Sequence, residues 1–389
     1  MNILYYCWNE NSAADIEQAF SNAGFSFVKV TYRPNSYDAD PILEQQIDDL
    51  LHQYKFDCIY TFNYVPILSE IAQKYRIPYI AWIYDCPNLT IYSHTVTNAC
   101  NYLFLFDRAM YRKTCSLGAK HAFHMPLAVQ TNRLNLQLNL SGQIPAADTY
   151  SYDISFVGSL YENNLYDQIR YLPDRLHGYF DGAMRAQQEV WGYHFLEELI
   201  GDDLLKETLS YIQLEENLAY AFSPRQIIIN MLDQKITSDE RIRLLQKTAQ
   251  TYTLDLFSGS HCNIIQNCRV HGAISYTDEM PFVFRNSKIN LNISLRSITS
   301  GIPLRCLDVM GAGGFLLSNY QPELAEYFVP GEDFIYFESD EDMLAKIDYF
   351  LVHEKERKEI AENGWGKIQS GFSYEKKLGD IFSVIDFHL

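Results

Sequence analysis

Two charged residues stand inside an otherwise apolar stretch of the C-terminal half. Arg305 and Asp308 are three positions apart, so they share one side of the helix that begins near Pro303. Arg296 and Gly301 lie in the polar loop just before this helix. The start of a helix offers unpaired N–H groups and the positive end of the helix dipole, which together suit a phosphate. The spacing therefore predicts a diphosphate near the helix start and a ribose bound by Asp308.

Two further carboxylates follow apolar runs of the N-terminal half. Asp85 comes directly after the run 80–84, and Asp107 comes directly after the run 103–106. In parallel sheets, ligands bind beyond the carboxyl ends of the strands, so both side chains are placed on the functional edge. Removal of a proton from a hydroxyl needs a carboxylate or a histidine nearby. We therefore predict Asp85 as the general base, with Asp107 and His94 as alternatives. In a reaction that needs no base, Asp85 would only position the second substrate.

The other charged motifs have simpler interpretations. Lys288 begins a predicted strand and is either a contact to the phosphates or a solvated surface charge. The triplet Asp38-Ala39-Asp40 resembles a metal-binding motif, but Asp40 precedes Pro41 and suits a helix N-cap. The ten histidines show no paired spacing of the kind that zinc sites use. The sequence therefore predicts no metal.

Strand and helix patterns alternate along the chain, which predicts two doubly wound α/β domains with parallel sheets. The predicted strands occupy residues 3–8, 25–32, 58–62, 79–84, 102–106, 122–126, 152–157, 254–257, 270–274, 289–295, 315–317 and 334–337. The predicted domains are residues 1–128 and 151–370, and they face a cleft. A polar linker at 129–150 joins them. We expect a C-terminal helix at 371–389 to pack back on the first domain.

A long helical section of the second domain, about 160–250, exceeds a single strand-to-strand crossover. Pro173, Gly201 and Pro224 interrupt it, and the pair Thr237 and Glu240 matches a capping box at a new helix start. We expect this section either to cover the cleft or to form a homodimer contact.

Composition limits the class of partner. The formal net charge of −18 argues against nucleic acid and against anionic membrane surfaces. No run of ~18 apolar residues indicates a membrane span. The N-terminal strand lacks the features of a signal peptide, and the eight cysteines form no CxxC pair. These features predict a reduced, cytoplasmic chain.

The C-terminal half resembles a known family in several motifs. The matching segments are Arg241-Ile242-Arg243-Leu244-Leu245, Thr253-Leu254-Asp255-Leu256-Phe257-Ser258-Gly259, Ser287-Lys288-Ile289-Asn290-Leu291-Asn292, the run 301–314, Glu323-Leu324 and the run 356–364. The chain is similar here to the spore-maturation-protein (CgeB)-type glycosyltransferases, of the glycosyl transferases group 1 type. This group has the GT-B fold of two Rossmann-like domains. The segments 82–87 and 124–128 resemble the acceptor half of the family more loosely.

The resemblance implies a nucleotide-sugar donor in the second domain and no essential metal or other cofactor. It places Arg296 and Arg305 at the diphosphate, Gly158 and Ser159 in the loop that faces the phosphates, and Lys288 and Gly301 among the donor residues. Members usually carry Glu at the position of Asp308, where it binds the ribose.

Together these features predict a hexosyltransferase that moves a sugar from a nucleotide diphosphate, with UDP as the expected nucleotide. The expected acceptor is a carbohydrate, a protein or a cell-surface precursor held by residues 1–128. Two alternatives stay open: a nucleotide-sugar epimerase on the same fold, which needs no separate acceptor, and a non-catalytic nucleotide-sugar-binding or assembly protein whose function lies in the helical section.

Overall fold

The computed structural model describes residues 1–37, 39–140, 150–169, 171–212, 223–260 and 264–385. The chain divides into two compact units. The first comprises Met1–Pro126, Ile200–Asn230 and Tyr374–Leu389, and the second comprises Leu127–Leu199 and Met231–Ser373.

The strands match the predicted alternation closely. They are β1 (Asn2–Cys7), β2 (Ser26–Thr31), β3 (Cys58–Phe62), β4 (Tyr79–Ile83), β5 (Asn101–Leu105), β6 (Ala122–His124), β7 (Tyr152–Val157), β8 (Leu254–Phe257), β9 (Arg269–Val270), β10 (Ser287–Asn292), β11 (Leu316–Asn319) and β12 (Ile335–Phe337).

Helices connect these strands, and two 3-10 turns at Leu89–Tyr92 and His94–Thr97 follow β4. The helices are α1 (Ala13–Asn22), α2 (Pro41–Gln53), α3 (Pro66–Tyr75), α4 (Arg108–Ser116), α5 (Thr131–Leu138), α6 (Leu165–Gln168), α7 (Asp174–Gln188), α8 (Leu196–Leu199), α9 (Asp202–Leu209), α10 (Pro224–Thr251), α11 (Met280–Arg285), α12 (Leu304–Gly311), α13 (Pro322–Tyr327), α14 (Asp340–Val352), α15 (Glu354–Gly371) and α16 (Tyr374–Ile385). Within the described ranges, no helix combines the length and the apolar character needed to cross a membrane.

The first unit contains a parallel sheet in the order β2-β1-β3-β4-β5-β6. Every residue of β3, β4 and β5 is buried, as expected for strands that helices cover on both faces. The C-terminal helix α16 belongs to this unit, where the ring of Phe382 packs edge-on against Phe25 with 5.0 Å between centroids.

The second unit contains a parallel sheet in the order β12-β11-β10-β7-β8-β9. Its core includes Ile154 of β7, Leu254 of β8, Ile289 of β10 and Leu317 of β11, all at 0% exposure. Two parallel sheets with helices between their strands confirm the doubly wound fold that the sequence predicts.

Some boundaries differ from the sequence-based expectation. The predicted linker 129–150 contains α5, and the Val129 N–H donates to the Phe372 carbonyl, whereas 141–149 lie outside the described residues. The capping box is wrong, because α10 runs without interruption from Pro224 to Thr251. Thr237 lies inside this helix, and its hydroxyl donates to the Asp233 carbonyl at 2.7 Å.

Candidate functional site

The order of the second sheet changes direction at β7. The chain leaves β7 for β8 on one side, and it later returns to place β10 on the other side. In doubly wound sheets, ligands bind at the carboxyl ends of the two strands that flank such a switch point. Gly158 and Ser159 follow β7, and Ile293 follows β10. We call the edge formed by these residues and the start of α12 the donor edge.

Arg241 of α10 joins the two sides of the donor edge. Its guanidinium donates to the Ser159 carbonyl at 2.6 Å, and its Nε and Nη2 atoms donate to the Ile293 carbonyl at 3.0 and 2.6 Å. The rings of Phe156 and Tyr161 lie beneath the guanidinium. Burial lowers the pKa of Arg241 to about 10, so it remains a cation at neutral pH. The sequence analysis assigned Arg241 no role, although it is the first residue of the motif Arg241-Ile242-Arg243-Leu244-Leu245.

The loop after β7 is held from the neighbouring strand end. The Ser260 hydroxyl, which follows β8, accepts a hydrogen bond of 2.8 Å from the Leu160 N–H. The Ser159 hydroxyl accepts from the Tyr161 N–H at 3.1 Å, and Ser159 itself is exposed. The predicted pair Gly158 and Ser159 thus lies on the functional edge of the sheet, in a loop with a fixed backbone.

Arg305 and Asp308 lie on one side of α12, as the spacing predicted. The Arg305 guanidinium is 3.2 Å from Asp308 Oδ2, and the Tyr276 hydroxyl donates to Asp308 Oδ1 at 2.9 Å. Asp308 is 7% exposed, whereas about a quarter of the Arg305 side chain is exposed. Arg305 also packs over the Phe284 ring at 5.2 Å. The Arg305 guanidinium and the Tyr276 hydroxyl therefore hold the Asp308 carboxylate in a fixed orientation.

The loop that leads into α12 is tied to the following helix. Glu323 of α13 is fully buried, its N–H donates to the Ser300 carbonyl at 3.0 Å, and its carboxylate accepts from the Ser300 hydroxyl at 2.6 Å. Gly301 is buried between these contacts and Pro303, the N-cap residue of α12. These contacts fix where the first turn of α12 stands relative to the sheet.

Arg296, predicted at the diphosphate, is held by protein groups in this structure. It is 4% exposed, and its Nε donates to Glu240 Oε2 at 2.7 Å. Nη1 donates to the Val190 carbonyl at 2.7 Å, and Nη2 donates to the Gln188 carbonyl at 2.8 Å. The Trp191 ring stacks on the guanidinium at 3.4 Å. Each guanidinium nitrogen of Arg296 thus has a protein partner, and the side chain anchors the loop after β10. Its predicted contact with a diphosphate stays a prediction.

Lys288 also differs from its predicted role. It lies at the start of β10, and its ammonium group pairs with Asp153 at 2.6 Å near the start of β7. The register aligns Ser287 with Tyr152, so this pair occupies the amino-terminal edge of the sheet. That edge is opposite the donor edge, so the structure does not bring Lys288 together with the other predicted donor residues.

In the first unit, a cavity of about 250 Å³ lies beyond the carboxyl ends of β1, β3 and β4. Aromatic side chains and carboxamides surround Asp85 there, and the lining includes Trp8, Tyr37, Asn63, Tyr64 and Asn88. We call this cavity the Asp85 cavity. It spans the point where the strand order of the first sheet changes direction, between β1 and β3.

Asn63 fixes the orientation of Asp85. Its Nδ2 donates to Asp85 Oδ2 at 2.7 Å, and its Oδ1 accepts from the N–H groups of Tyr84 and Asp85 at 2.9 Å each. Asn63 has φ of 61°, in the left-handed region that Asn tolerates better than most residues. Desolvation by surrounding atoms raises the pKa of Asp85, and the hydrogen bond from Asn63 partly opposes the shift. A carboxylate with a raised pKa is a better proton acceptor.

The two alternative bases occupy different surroundings. Asp107 is buried and caps α4, where its Oδ1 accepts from the Met110 N–H at 2.8 Å. The His94 side chain is 87% exposed and lies 3.8 Å from Glu70. The cavity that Asp85 lines includes neither residue. The structure therefore favours Asp85 over both.

The described part of the chain contains no cluster of three or more His, Cys, Asp or Glu side chains that could hold a metal ion. Asp40 caps α2 by accepting from the Ile42 and Leu43 N–H groups at 3.1 Å each. Asp38, the other acid of the triplet, lies outside the described residues.

Comparison with known proteins finds a family model that matches part of the chain. The family model described as glycosyl transferase-like matches residues 241–383. That segment begins at Arg241 and includes Arg305, Asp308 and Glu323. A comparison with curated proteins gave no match.

Solved structures resemble the whole chain. Sucrose-phosphate synthase from Thermosynechococcus elongatus has a TM-score of 0.55 and 11% identity over 100% of both chains. The Anabaena protein Alr3699/HepE in complex with UDP and glucose has a TM-score of 0.55 and 10% identity over 99% of each chain. A glycosyltransferase from Rickettsia africae ESF-5 has a TM-score of 0.52 and 11% identity over 98% of this chain and 97% of that chain. The fold is the GT-B type with two Rossmann-like units.

Proposed function

We propose that the chain is a glycosyltransferase that moves a hexosyl group from a UDP-sugar to an acceptor hydroxyl without a metal ion. The observation that carries this proposal is the placement of Arg241, which joins both strand ends at the switch point of the second sheet. The family segment begins at the same residue. UDP is the nucleotide because Alr3699/HepE, which shares the fold, is described in complex with UDP and glucose.

The donor edge supplies what a departing nucleotide diphosphate needs. Negative charge grows on the diphosphate as the bond to the sugar breaks, and cations with oriented N–H groups stabilise that charge. Arg305 and the first turn of α12 would serve this purpose beside Arg241. The Asp308 carboxylate would accept hydrogen bonds from the ribose hydroxyls. Arg305 and the N–H groups at the start of α12 would thus take the part that a metal ion plays in other transferases, while Arg241 holds the two strand ends and adds positive charge from behind them.

The Asp85 cavity supplies a proton acceptor. As the acceptor oxygen bonds to the anomeric carbon, the bond from that carbon to the diphosphate breaks, and the hydroxyl proton passes to Asp85. UDP departs with the electron pair of the broken bond. If the anomeric configuration is retained, Asp85 serves only to position the acceptor. Within GT-B enzymes, we assign the chain to the spore-maturation-protein branch from the motifs at 301–314.

Binding and turnover test the proposal separately. Isothermal titration with UDP should show saturable binding to the wild-type chain and weaker binding to Asp308→Ala. A panel of UDP-sugars with carbohydrate acceptors should yield a glycosylated product in the presence of a chelator. Unchanged UDP affinity in Asp308→Ala would reject the donor edge. Release of sugar and UDP without any acceptor would instead favour an epimerase, and UDP-sugar binding without turnover would favour a binding protein.

A further inference from the structure

A second cavity, of about 500 Å³, lies in the helical part of the second unit. Helices α7 and α10 form its walls. The side chains that matter for its chemistry are Tyr166, His177, Asp181, Arg185, Lys235 and Asp239. We call it the helical cavity. Its volume is within the range of about 300–1,000 Å³ that small-molecule sites occupy.

Both helices present a polar stripe to this cavity. His177, Asp181 and Arg185 follow one another at four-residue intervals on α7, and Lys235 and Asp239 do the same on α10. Residues four apart lie on the same face of a helix. Such stripes are typical of solvated surfaces as well, so the charges within the cavity decide what it could bind.

Most of the charges in the helical cavity are already paired. The Lys235 ammonium group lies 3.0 Å from Asp167 and 2.9 Å from Asp239. The Tyr166 hydroxyl donates to Asp181 at 2.9 Å. Among the described residues, Arg185 forms no ion pair or hydrogen bond through its guanidinium. Arg243, which also lines the cavity, pairs with Asp340. Arg185 is therefore the cavity cation whose guanidinium has no protein partner among the described residues, and it lies next to carboxylates that retain acceptor capacity.

The helical cavity is separate from the donor edge. With about 3.6 residues per helical turn, Asp239 and Arg241 project from roughly opposite sides of α10. Asp239 lines the cavity, whereas the Arg241 guanidinium contacts the strand ends. A ligand in the helical cavity would therefore not occupy the proposed place of the UDP-sugar.

We propose that the helical cavity binds a small polyhydroxylated molecule that carries one anionic group, either a phosphate or a carboxylate. Arg185 bonds the anionic group through its planar fork of donors. Asp181 and Asp239 accept hydrogen bonds from hydroxyl groups, and the Tyr166 ring forms an apolar wall. Three carboxylates line the cavity (Asp167, Asp181 and Asp239), and Lys235 and Arg243 are already paired, so a singly anionic ligand fits this site better than a nucleotide diphosphate. This proposal stands independently of the proposed transferase activity.

Isothermal titration with mannose 6-phosphate, glucuronate and neutral mannose tests this proposal. One or both anionic probes should bind, and neutral mannose should bind at least about tenfold more weakly. Comparison of the two anionic probes shows whether phosphate or carboxylate is preferred. The proposal is overturned if neither anionic probe binds, or if neutral mannose binds equally well.

Variants locate the site. Arg185→Gln should weaken the anionic probe by about tenfold or more, because a bond to a charged group is lost. Asp181→Asn should also weaken it. Arg112→Gln, a matched change at an exposed helical position of the first unit, should have no effect, and Asp308→Ala at the donor edge should also bind normally. If both Arg185→Gln and Asp181→Asn bind the anionic probe as tightly as the wild type, the ligand lies outside the helical cavity. The same follows if Asp308→Ala is the variant that loses binding of the probe. Circular dichroism would establish that each variant is folded.

Discussion

Arg296 and Glu240 form a buried ion pair across 56 positions of sequence, with the two side chains at 2% and 1% exposure. The pair connects the loop after β10 to the middle of α10. The carbonyls of Gln188 and Val190 accept two further hydrogen bonds from Arg296. The same loop continues to α12. The ion pair therefore fixes the backbone between β10 and α12, which forms part of the donor edge.

Removal of one partner should be costly. Arg296→Met leaves the Glu240 carboxylate buried without a counter-ion, which costs about 3–5 kcal/mol of unfolding free energy. Urea unfolding monitored by circular dichroism measures this loss. Lys74→Met provides the control, because its exposed pair with Asp48 contributes only about 0–1 kcal/mol. Equal stabilities of the two variants would show that the buried pair does not anchor the loop.

Asp85 should control the acidic limb of the pH–rate profile. A base must be ionised to accept a proton, and partial desolvation by neighbouring protein atoms raises the pKa of Asp85. The rate should therefore fall with decreasing pH at a higher pH than an ordinary Asp, near 3.9, would give. Asp85→Asn should reduce turnover by about 10²–10⁴-fold while UDP affinity stays unchanged. Asp49→Asn, on an exposed helix of the same unit, is the control.

Asp85 should also lower stability at neutral pH. Its folded pKa lies above the unfolded value, so the folded state binds the proton more readily. The stability associated with protonation is present in acid and is lost as pH rises through the folded pKa. Asp85→Asn should thus unfold at a higher temperature than the wild type at pH 7, with a smaller difference at pH 4. A lower melting temperature of the variant at pH 7 would contradict this account.

The Tyr276 hydroxyl should orient the Asp308 carboxylate for ribose rather than compete with it. Tyr276→Phe removes one donor to Asp308 and should weaken UDP binding by less than about tenfold. Asp308→Asn keeps the shape but removes the charge, so it should weaken UDP binding more than Tyr276→Phe does. Titration calorimetry compares them. Tighter binding in Tyr276→Phe would show that the tyrosine occupies the place of the ribose hydroxyl.

His194 and Asp233 should make stability depend on pH near neutrality. Burial alone would lower the pKa of His194, but the Asp233 carboxylate at 2.8 Å outweighs it and raises the pKa. The stabilising pair is therefore fully present below pH ~6.5, the usual unfolded value, and is lost as pH rises through the folded pKa. His194→Gln should remove this part of the pH dependence in urea unfolding. An unchanged pH profile would contradict it.

Local patterns predicted the elements well and the long-range contacts poorly. The strands at 58–62 and 152–157 agree residue for residue with β3 and β7, because short segments rich in apolar, β-branched and aromatic residues encode buried strands. The N-cap role of Asp40 was also readable, since Pro41 marks the first helical turn. The partners of Arg296 were not, because two of them are backbone carbonyls 106 and 108 positions away, at the end of α7 and just beyond it, and no side-chain pattern marks them.

Direction along a strand explains a second difference. Lys288 was included through the resemblance. It is the second residue of β10 and therefore lies at the amino-terminal edge of the sheet, opposite the donor edge. Arg241 was missed for the complementary reason. Its position within α10 says nothing about strand ends until the helix is packed against the sheet, and only then do its donors meet the carbonyls after β7 and β10.

Arg241 provides the sharpest test of the donor edge. Arg241→Lys keeps the positive charge but loses the planar fork that reaches the carbonyls of Ser159 and Ile293 at the same time. The loss of charged hydrogen bonds should reduce the unfolding free energy by about 1–3 kcal/mol and weaken UDP binding by about tenfold. The matched control is Arg243→Lys, two positions away, where the guanidinium pairs with Asp340. UDP titration and urea unfolding of both variants measure the effect. Both substitutions preserve the positive charge, so a difference in UDP affinity between them reports the loss of the Arg241 hydrogen bonds to Ser159 and Ile293. Equal UDP affinities would mean that these hydrogen bonds do not shape the donor edge.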